Sequence, residues 1–569
     1  MGVTRADETG RLRVSVVVAD LVVPAWIIMV LDEVASCATL ELLEVIIDSP
    51  PIGVVEATEP PSFGERVLAR CDEWFTRRRV ALMAPADLRV WAHARGAGSV
   101  TEDGLRLALG STDKAPAGDP DITLDLTGRS AWAASVTDAS AEAWRLRGVP
   151  VGVRRSLVDP SGLTAAIMRG SQVTEFELQS RVPGRVEPEI LDVGVCPTHP
   201  SSPVLTREFL AASAQQLIVE RLKAAGADHG ARGVNERADA ARRTTNGKAK
   251  PLTGSAPRSA SRPGLGTAGV FAVRTAKRRV RKAVLEKQWH LLVGNQAPDR
   301  LLPDPSRLQP LVPRAGNYWA DPFVVAHDDR THVFFEDFVY ASQRGRIGVL
   351  TLDAQGRPGA EQVALELESH LSYPCVFAHE GRFYMVPETA EAGRVDLYEC
   401  LDMPARWEYR RTLLSGVQLL DASLVEWGGL WWMFASLKKP AGLRTAELLV
   451  LYVSEDPVKG AWRRHPSSPL LADVTNARPA GAPFVFGDRL YRLAQVSAGS
   501  YGRGIALNEV VSLSPDHYSE RRLATVRPDW AWGICGTHTL NRSGDAVVMD
   551  ACRYVLRDPR RPRAESMLP

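Results

Sequence analysis

The chain has 569 residues, 45% of them apolar and 24% charged, with a formal net charge of +2. That balance suits globular protein and about two to four domains with proper cores. So small a net charge gives no long-range electrostatic steering, and no nucleic-acid partner is expected.

Seven cysteines (Cys37, Cys71, Cys196, Cys375, Cys400, Cys535 and Cys552) are odd in number and never spaced as CxxC. They fit unpaired, mostly buried thiols in a reducing compartment. The apolar run VSVVVADLVVPAWIIMVL is interrupted by Asp20 and Pro24 and has no clean small-residue cleavage site after it. It suits neither a membrane helix nor a signal peptide, so a cytoplasmic location is expected.

In chain order, RVSVVVA (Arg13 to Ala19) reads as a buried strand. Pro24 then suits a helix first turn, and apolar residues recur at helical spacing to Val45, merging with a strand at Glu44 to Ile47. Further short apolar runs follow at Val80 to Ala86 and Asp121 to Leu126. This alternation predicts an open α/β sheet of Rossmann-like kind over residues 12–225. No GxGxxG or GxxxxGK[ST] accompanies it, so neither a dinucleotide nor a P-loop site is expected. Short strands are expected from Val149 to Val182, and REFLAASAQQLIVERLKAA (Arg207 to Ala225) is an amphipathic helix. Residues 226–270, poor in large apolar side chains, read as a disordered linker. A basic helix is expected over 271–288: RTAKRRVRKAVLEK (Arg274 to Lys287) holds seven basic residues and reads first as a solvated helix at the domain entrance, with an anionic membrane surface, nucleic acid or an acidic partner as the alternative contacts.

From 289 to 558 one pattern recurs. WADPFVVAHDDRTHVFFEDF (Trp319 to Phe338), SYPCVFAHEGRFYMVPE, DASLVEWGGLWWMFAS, GAPFVFGDRLYRLAQ and GTHTLNRSGDAVVMD are each a strand, a tight turn and a second strand. Their anchors Pro322, Pro374, Ser423, Pro483 and His538 are 52, 49, 60 and 55 residues apart. This is the signature of an all-β propeller, here five-bladed. WHLLVG (Trp289 to Gly294) is expected to close it beside Arg553 to Leu556, and residues 559–569 read as a tail.

Hairpin strands are antiparallel, so the start of one and the end of the next share a rim. That places Asp321, Tyr373, Asp421 and His538 with Glu336, Asp337, Glu388, Gln495 and Asp550 around one opening. Six carboxylates there repel one another unless a ligand, a metal or basic partners offset them. Clustered carboxylates with Gln495 offer hard oxygen ligands, making Ca²⁺ the candidate metal. No HExxH or paired-histidine spacing points to zinc. The same rim could bind a sugar, its carboxylates accepting from hydroxyls while Trp319, Tyr373 or Tyr501 stacks on the ring. No G-x-S-x-G elbow is present, and Ser500 in AGSYG only approximates one.

NYWADPF (Asn317 to Phe323), SYP with VPET, DASL (Asp421 to Leu424), RPAG (Arg478 to Gly481), RLAQ with Tyr501-Gly502, and GTHT (Gly536 to Thr539) occur in that order. In these motifs the second half resembles the propeller domain at the N-terminus of plant glucosamine inositolphosphorylceramide transferases and related bacterial proteins. The resemblance implies a carbohydrate- or glycoconjugate-modifying, transferase-type role. With LDLTG (Leu124 to Gly128) and LDVG (Leu191 to Gly194), the first half resembles a formyltransferase domain, in which Asp192 matches a catalytic aspartate. The Asn-x-His pair that formyl transfer needs is missing from GRSAWAASVTDAS (Gly128 to Ser140), so the domain reads as degenerate, Asp192 as structural, and folate is not expected.

Arabinanase- and xylosidase-type glycosidases also use propellers, with a carboxylate base, a carboxylate acid and a third that tunes them. By that analogy Asp321 is the base, Glu388 the acid and Asp421 the tuner, with Trp319, Glu336, Asp337, Tyr373, Arg478, Gln495, Tyr501, His538 and Asp550 lining the substrate. An inverting hydrolase would need acid and base about 6.5–9.5 Å apart. A non-catalytic sugar-binding or scaffold protein is the competing class.

Overall fold

The computed structural model describes residues 10–47, 84–95, 106–108, 119–127, 141–148, 163–183, 185, 187–231, 265–297, 299–438 and 447–557. Residues 232–264 of the stretch expected as a linker over 226–270, the Gly128 to Ser140 stretch, most of Val80 to Ala86 and residues 559–569 lie outside them. The chain divides into two compact units, residues 1–275 with 443–446, and 276–442 with 447–569.

In the first unit, Leu12–Val18 pairs parallel with Leu40–Ile47 on one side and Ile122–Asp125 on the other, and the latter pairs parallel with Glu142–Arg147. Val14, Val16, Val17 and Val18 are fully buried, as a strand lying between parallel neighbours requires. The sheet continues antiparallel through Val173–Arg181 and Glu189–Pro197.

Three boundaries differ from expectation. The first helix is Ala25–Ser36 and ends well before Val45, because LELLEVII (Leu40–Ile47) is drawn into the ladder beside Leu12–Val18. The stretch expected as short strands contains a helix, Leu163–Arg169, before one nine-residue strand. The amphipathic helix runs over Pro203–Ala231, beyond the expected linker start at 226, and buries Leu210, Leu217, Ile218 and Leu222.

The basic helix spans Leu265–Val284, and the backbone becomes a strand at Leu285. That strand, Leu285–Asn295, runs antiparallel to Ala546–Leu556 over eleven residue pairs, with Trp289 opposite Cys552 and Leu291 opposite Asp550. The closure expected from WHLLVG is present but shifted along. Leu285 to Gln288 take the places opposite Arg553 to Leu556, because the helix hands over to the strand earlier than 288.

The second unit is a propeller-like arrangement of small antiparallel sheets. Four are discrete. They begin with the hairpins Asn317–His327 with Arg330–Val339, Ser372–His379 with Arg382–Glu388, and Phe484–Phe486 with Arg489–Val496; the fourth is the closing sheet around Ala546–Leu556. The third hairpin, Leu419–Trp427 with Leu430–Leu437, continues into Leu448–Ser454. Beyond that strand only two residue pairs form with Arg463–Arg464 and two with Leu471–Asp473. Pro466 and Pro469 interrupt this outer segment, and a proline cannot donate to a ladder. The expected five discrete blades are therefore four, plus a ladder with a broken outer edge.

Apolar side chains from neighbouring sheets interleave between them. Phe334 and Ile347 meet Tyr373 and Met385, which meet Leu424 and Met433. Val425 and Phe434 meet Leu490 and Val510, and Leu493 and Leu507 meet Val547 and Met549. Finally Leu291, Val293 and Val548 of the closing sheet pack on Trp319, Val333 and Phe335 of the first hairpin. Leu291 is fully buried in that last seam, so Leu291→Ala should cost about 2–5 kcal/mol of unfolding free energy. Urea denaturation checks this, and a loss below 1 kcal/mol (on the order of an exposed-site change) would mean the seam does not hold the unit together.

Candidate functional site

The hairpin starts share a backbone device. Asp321, Tyr373 and Asp421 have positive φ of 50°, 45° and 54°. Each sits where its ladder skips, between Ala320 and Phe323, Ser372 and Cys375, and Leu420 and Ser423. A left-handed residue in a bulge leaves the in–out alternation of the strand and re-aims its side chain. Aspartate tolerates this conformation; tyrosine pays more strain and needs its surroundings to hold it. The Tyr373 hydroxyl accepts from Gly481 N–H at 2.6 Å and lies 2.8 Å from Ser423 Oγ, which donates to Asp421 O. Gly481 is required there: a Cβ would stand 2.0 Å from Leu540 O.

Around Asp321, three groups form a relay. Asp550 Oδ1 accepts the N–H groups of His538 (2.7 Å) and Thr539 (3.1 Å), and its Oδ2 lies 2.5 Å from His538 Nδ1. His538 Nε2 lies 3.3 Å from Asp321 Oδ1, which also accepts from Thr539 Oγ1 at 2.7 Å. Burial opposes charge on His538, but the facing carboxylates of Asp550 and Asp321 outweigh it and raise its pKa above the ordinary value. Burial, reinforced by Asp421 and Asp550 and opposed by His538 and Thr539, pushes Asp321 up to about 6. Trp289 covers the imidazole, ring centres 4.3 Å apart, and Tyr501 meets it edge-on at 5.1 Å.

Around Asp421 lies a second assembly. Arg478 grips the carboxylate through Nε and, at 3.1 Å, through Nη2. Gln495 Nε2 donates to Asp421 Oδ2 (2.8 Å) and to Pro479 O (3.0 Å), leaving its buried Oε1 without a hydrogen-bond partner. The guanidinium is 5.3 Å from the Tyr501 ring centre and 3.9 Å from Glu388 Oε2. Burial first, then the Asp421 charge, holds the Glu388 carboxyl well above the usual carboxylate range. Glu336 accepts from the Tyr318 hydroxyl at 3.1 Å, and burial with the nearby Asp321 charge raises it likewise.

The structure therefore gathers Asp321, Glu336, Glu388, Asp421, Arg478, Gln495, Tyr501, His538 and Asp550 into one interacting cluster. Glu388 is its most open acid, with a side chain 13% exposed against 1% for Asp421 and 7% for Asp321. Glu388 thus holds its proton more tightly than an ordinary carboxylate, and Asp321 titrates near 6. Two acids in one cluster with raised pKa values are what general acid–base chemistry near neutrality draws on.

Asp321, His538 and Asp550 also offer ligand atoms within 4.8 Å of one another. They could hold a divalent cation once His538 loses its proton. On the surface His379, Glu380 and Asp456 form a similar group, although Lys459 already pairs with Glu380 at 3.0 Å.

Three expected site residues fall elsewhere. Asp337 accepts from Asn317 Nδ2 (2.6 Å), Trp319 Nε1 (3.1 Å) and Arg346 Nε (3.0 Å). As neighbours on one strand, Glu336 and Asp337 must face opposite sides, so Asp337 and Trp319 belong to the sheet packing. Tyr373 is a buried strut between hairpins, not a stacking platform. Conversely, Trp289, Tyr318 and Thr539 reach the cluster without having been expected there. Tyr318 and Thr539 adjoin the motif residues Trp319 and His538, which is the signal that could have found them. In the first unit, Arg221 Nη2 holds Asp192 Oδ1 at 2.8 Å and Arg221 Nε holds the other oxygen.

Residues 311–532 match the family model described as Glucosamine inositolphosphorylceramide transferase 1, N-terminal. Glucosamine inositolphosphorylceramide transferase 1 of Oryza sativa subsp. japonica is 34% identical over 207 residues, 36% of this chain and 28% of its own length. The Arabidopsis thaliana protein of that name is 30% identical over 207 residues, 36% and 27% respectively. The chain thus spans under a third of the length of these curated relatives, and the family match falls within the propeller-like unit. Among solved structures, the catalytic domain of a Coprinopsis cinerea GH62 alpha-L-arabinofuranosidase is 17% identical with a TM-score of 0.33, covering 41% of this chain and 80% of its own. An alpha-L-arabinanase of Cellvibrio cellulosa is 12% identical with a TM-score of 0.26, covering 36% and 77%.

Two outcomes follow from the electrostatics. Arg478→Met leaves the buried Asp421 carboxylate without its cation and should cost about 3–5 kcal/mol; Arg478→Met with Asp421→Asn should recover part of the loss, and denaturation midpoints decide it. Asp321 binds its proton more tightly folded than unfolded, so its ionisation lowers stability as pH rises from about 4 through about 6. The raised His538 pKa has the same sign: its stabilisation is complete below the ordinary histidine pKa and disappears as pH rises through the folded value. Asp321→Asn should flatten the fall in stability between about pH 4 and 6, and an unchanged slope would contradict the assignment.

Proposed function

We propose that the second unit is a five-bladed propeller, counting the broken-edged ladder as a blade, and that it modifies a carbohydrate or glycoconjugate by transferase-type acid–base chemistry. The observation that carries the reading is the pairing of Glu388, its carboxyl held well above the usual range, with Asp321, pushed up to about 6, in one cluster, with Asp421 fixed between Arg478 and Gln495. In this reading Glu388 protonates the departing oxygen, Asp321 takes the proton of the acceptor hydroxyl, and Asp421 raises the Glu388 pKa. The match to a transferase family over residues 311–532 supports the substrate class. For the first unit, the run of parallel strands supports a Rossmann-like, degenerate formyltransferase-like domain, with the Arg221 grip giving Asp192 a structural role.

A second reading, a non-catalytic sugar-binding or scaffold unit, is favoured by one observation: most of the acids are almost closed to solvent. A glycosidase-like hydrolase would use the same Asp321–Glu388 pair with water as acceptor. The test is a thermal-shift screen of the full chain against free sugars and nucleotide sugars, followed by turnover assays on the stabilising compounds. Glu388→Gln and Asp321→Asn should each lower turnover by about 10²–10⁴-fold with binding largely kept. No turnover in the parent, with graded affinity loss in the variants, would establish the binding module instead.

A further inference from the structure

Behind His538, the strands Ile534–Gly536 and Ala546–Leu556 carry two thiols that the acid–base cluster does not use. Cys535 Sγ and Cys552 Sγ lie 3.5 Å apart, and neither is in a disulfide. The ladder between the strands pairs Ile534 with Arg553 and Gly536 with Cys552. Cys535 thus falls in the irregularity between two pairs, which turns its side chain onto the neighbouring strand. It is half-buried and within reach of a small solute, whereas Cys552 is fully buried.

Their surroundings divide the work. Contact with Cys552, aided by the Lys287 and Arg281 cations, holds the Cys535 thiol below its ordinary value in spite of burial. An accessible thiol with a lowered pKa, 3.5 Å from a sheltered second one, is the layout of an attacking and a resolving cysteine.

We propose that Cys535 and Cys552 are a reversible oxidation site that closes to a disulfide with hydrogen peroxide. Cys535 sulfur attacks one peroxide oxygen; the O–O bond breaks, a sulfenic acid forms, and the other oxygen leaves as water with the thiol proton. Cys552 sulfur then attacks Cys535 sulfur; the S–S bond forms, the S–O bond breaks, and the hydroxyl leaves as a second water with the Cys552 proton. Two thiols are oxidised by two electrons and one peroxide is reduced.

The consequence reaches the acidic cluster. Bond formation draws the sulfurs from 3.5 Å to about 2.05 Å. Cys552 packs with Trp289, Ala320 and Tyr501, and Trp289 and Tyr501 are the two rings that hold His538. Closing the bond therefore pulls on the wall behind the imidazole. This inference needs no substrate, so it stands or falls separately from the reading of the acids.

The full chain is treated with a small excess of hydrogen peroxide, free thiols are alkylated, and peptides are mapped by mass spectrometry. The expected product is a Cys535–Cys552 cross-linked peptide, two hydrogens lighter, lost on dithiothreitol treatment and absent from Cys535→Ser. The His538 ring resonances should shift on oxidation and return on reduction. Full alkylation of both cysteines after peroxide, or Cys535 accumulating as sulfinic acid without the cross-link, would overturn the proposal. Since the mapping is made on the native chain, it is decisive even if a cysteine variant folds poorly.

Discussion

Asp321, Glu336, Glu388, Asp421 and Asp550 lie within electrostatic reach of one another, all but Glu388 buried, with the Arg478 guanidinium and the His538 imidazole among them. Five ionised carboxylates in such a place would drive the sheets apart, so the cluster must limit its own charge. It does so in two ways. Asp421 and Asp550 are answered by a gripping arginine, backbone N–H groups and a histidine raised above its ordinary pKa. Glu336 and Glu388 instead hold their protons more tightly than ordinary carboxylates. Their raised pKa values follow from packing too many acids around too few cations.

The cluster can exist only because the backbone aims these side chains. Asp321 and Asp421 leave the strand alternation through left-handed bulges, and Tyr373 uses the same bulge to brace neighbouring hairpins. Such conformations persist where surrounding contacts over-determine them. The seam in which Leu291, Val293 and Val548 meet Trp319 and Phe335 supplies part of that support. It also brings Asp550 within 3.3 Å of Asp321 N, across 229 residues of sequence.

The strand that makes the seam also places Trp289 against His538 and opposite Cys552. One eleven-residue ladder therefore serves the architecture, the ring contact behind the imidazole and the dithiol together. A basic helix leads directly into it, and Arg281 lies 4.9 Å from the Tyr554 ring centre on the partner strand.

The repeated hairpins, the closing strand and most of the acidic cluster were legible in the amino-acid sequence, because strand–turn–strand patterns are local and antiparallel geometry carries both ends to one rim. Local pattern also sufficed for the helix before Ala231 and for the alternation of the first unit. What it did not convey was which neighbour a residue faces once a strand bulges. Asp337 and Trp319 carry the same motif signal as Glu336 and Asp321, yet one step of alternation turns Asp337 into the sheet, and the bulge at Asp321 parts it from Trp319. Trp289 comes to the cluster from a strand far away in sequence, Leu285–Asn295. Contacts of that kind depend on how the sheets meet around the ring, and only the packed tertiary structure decides them.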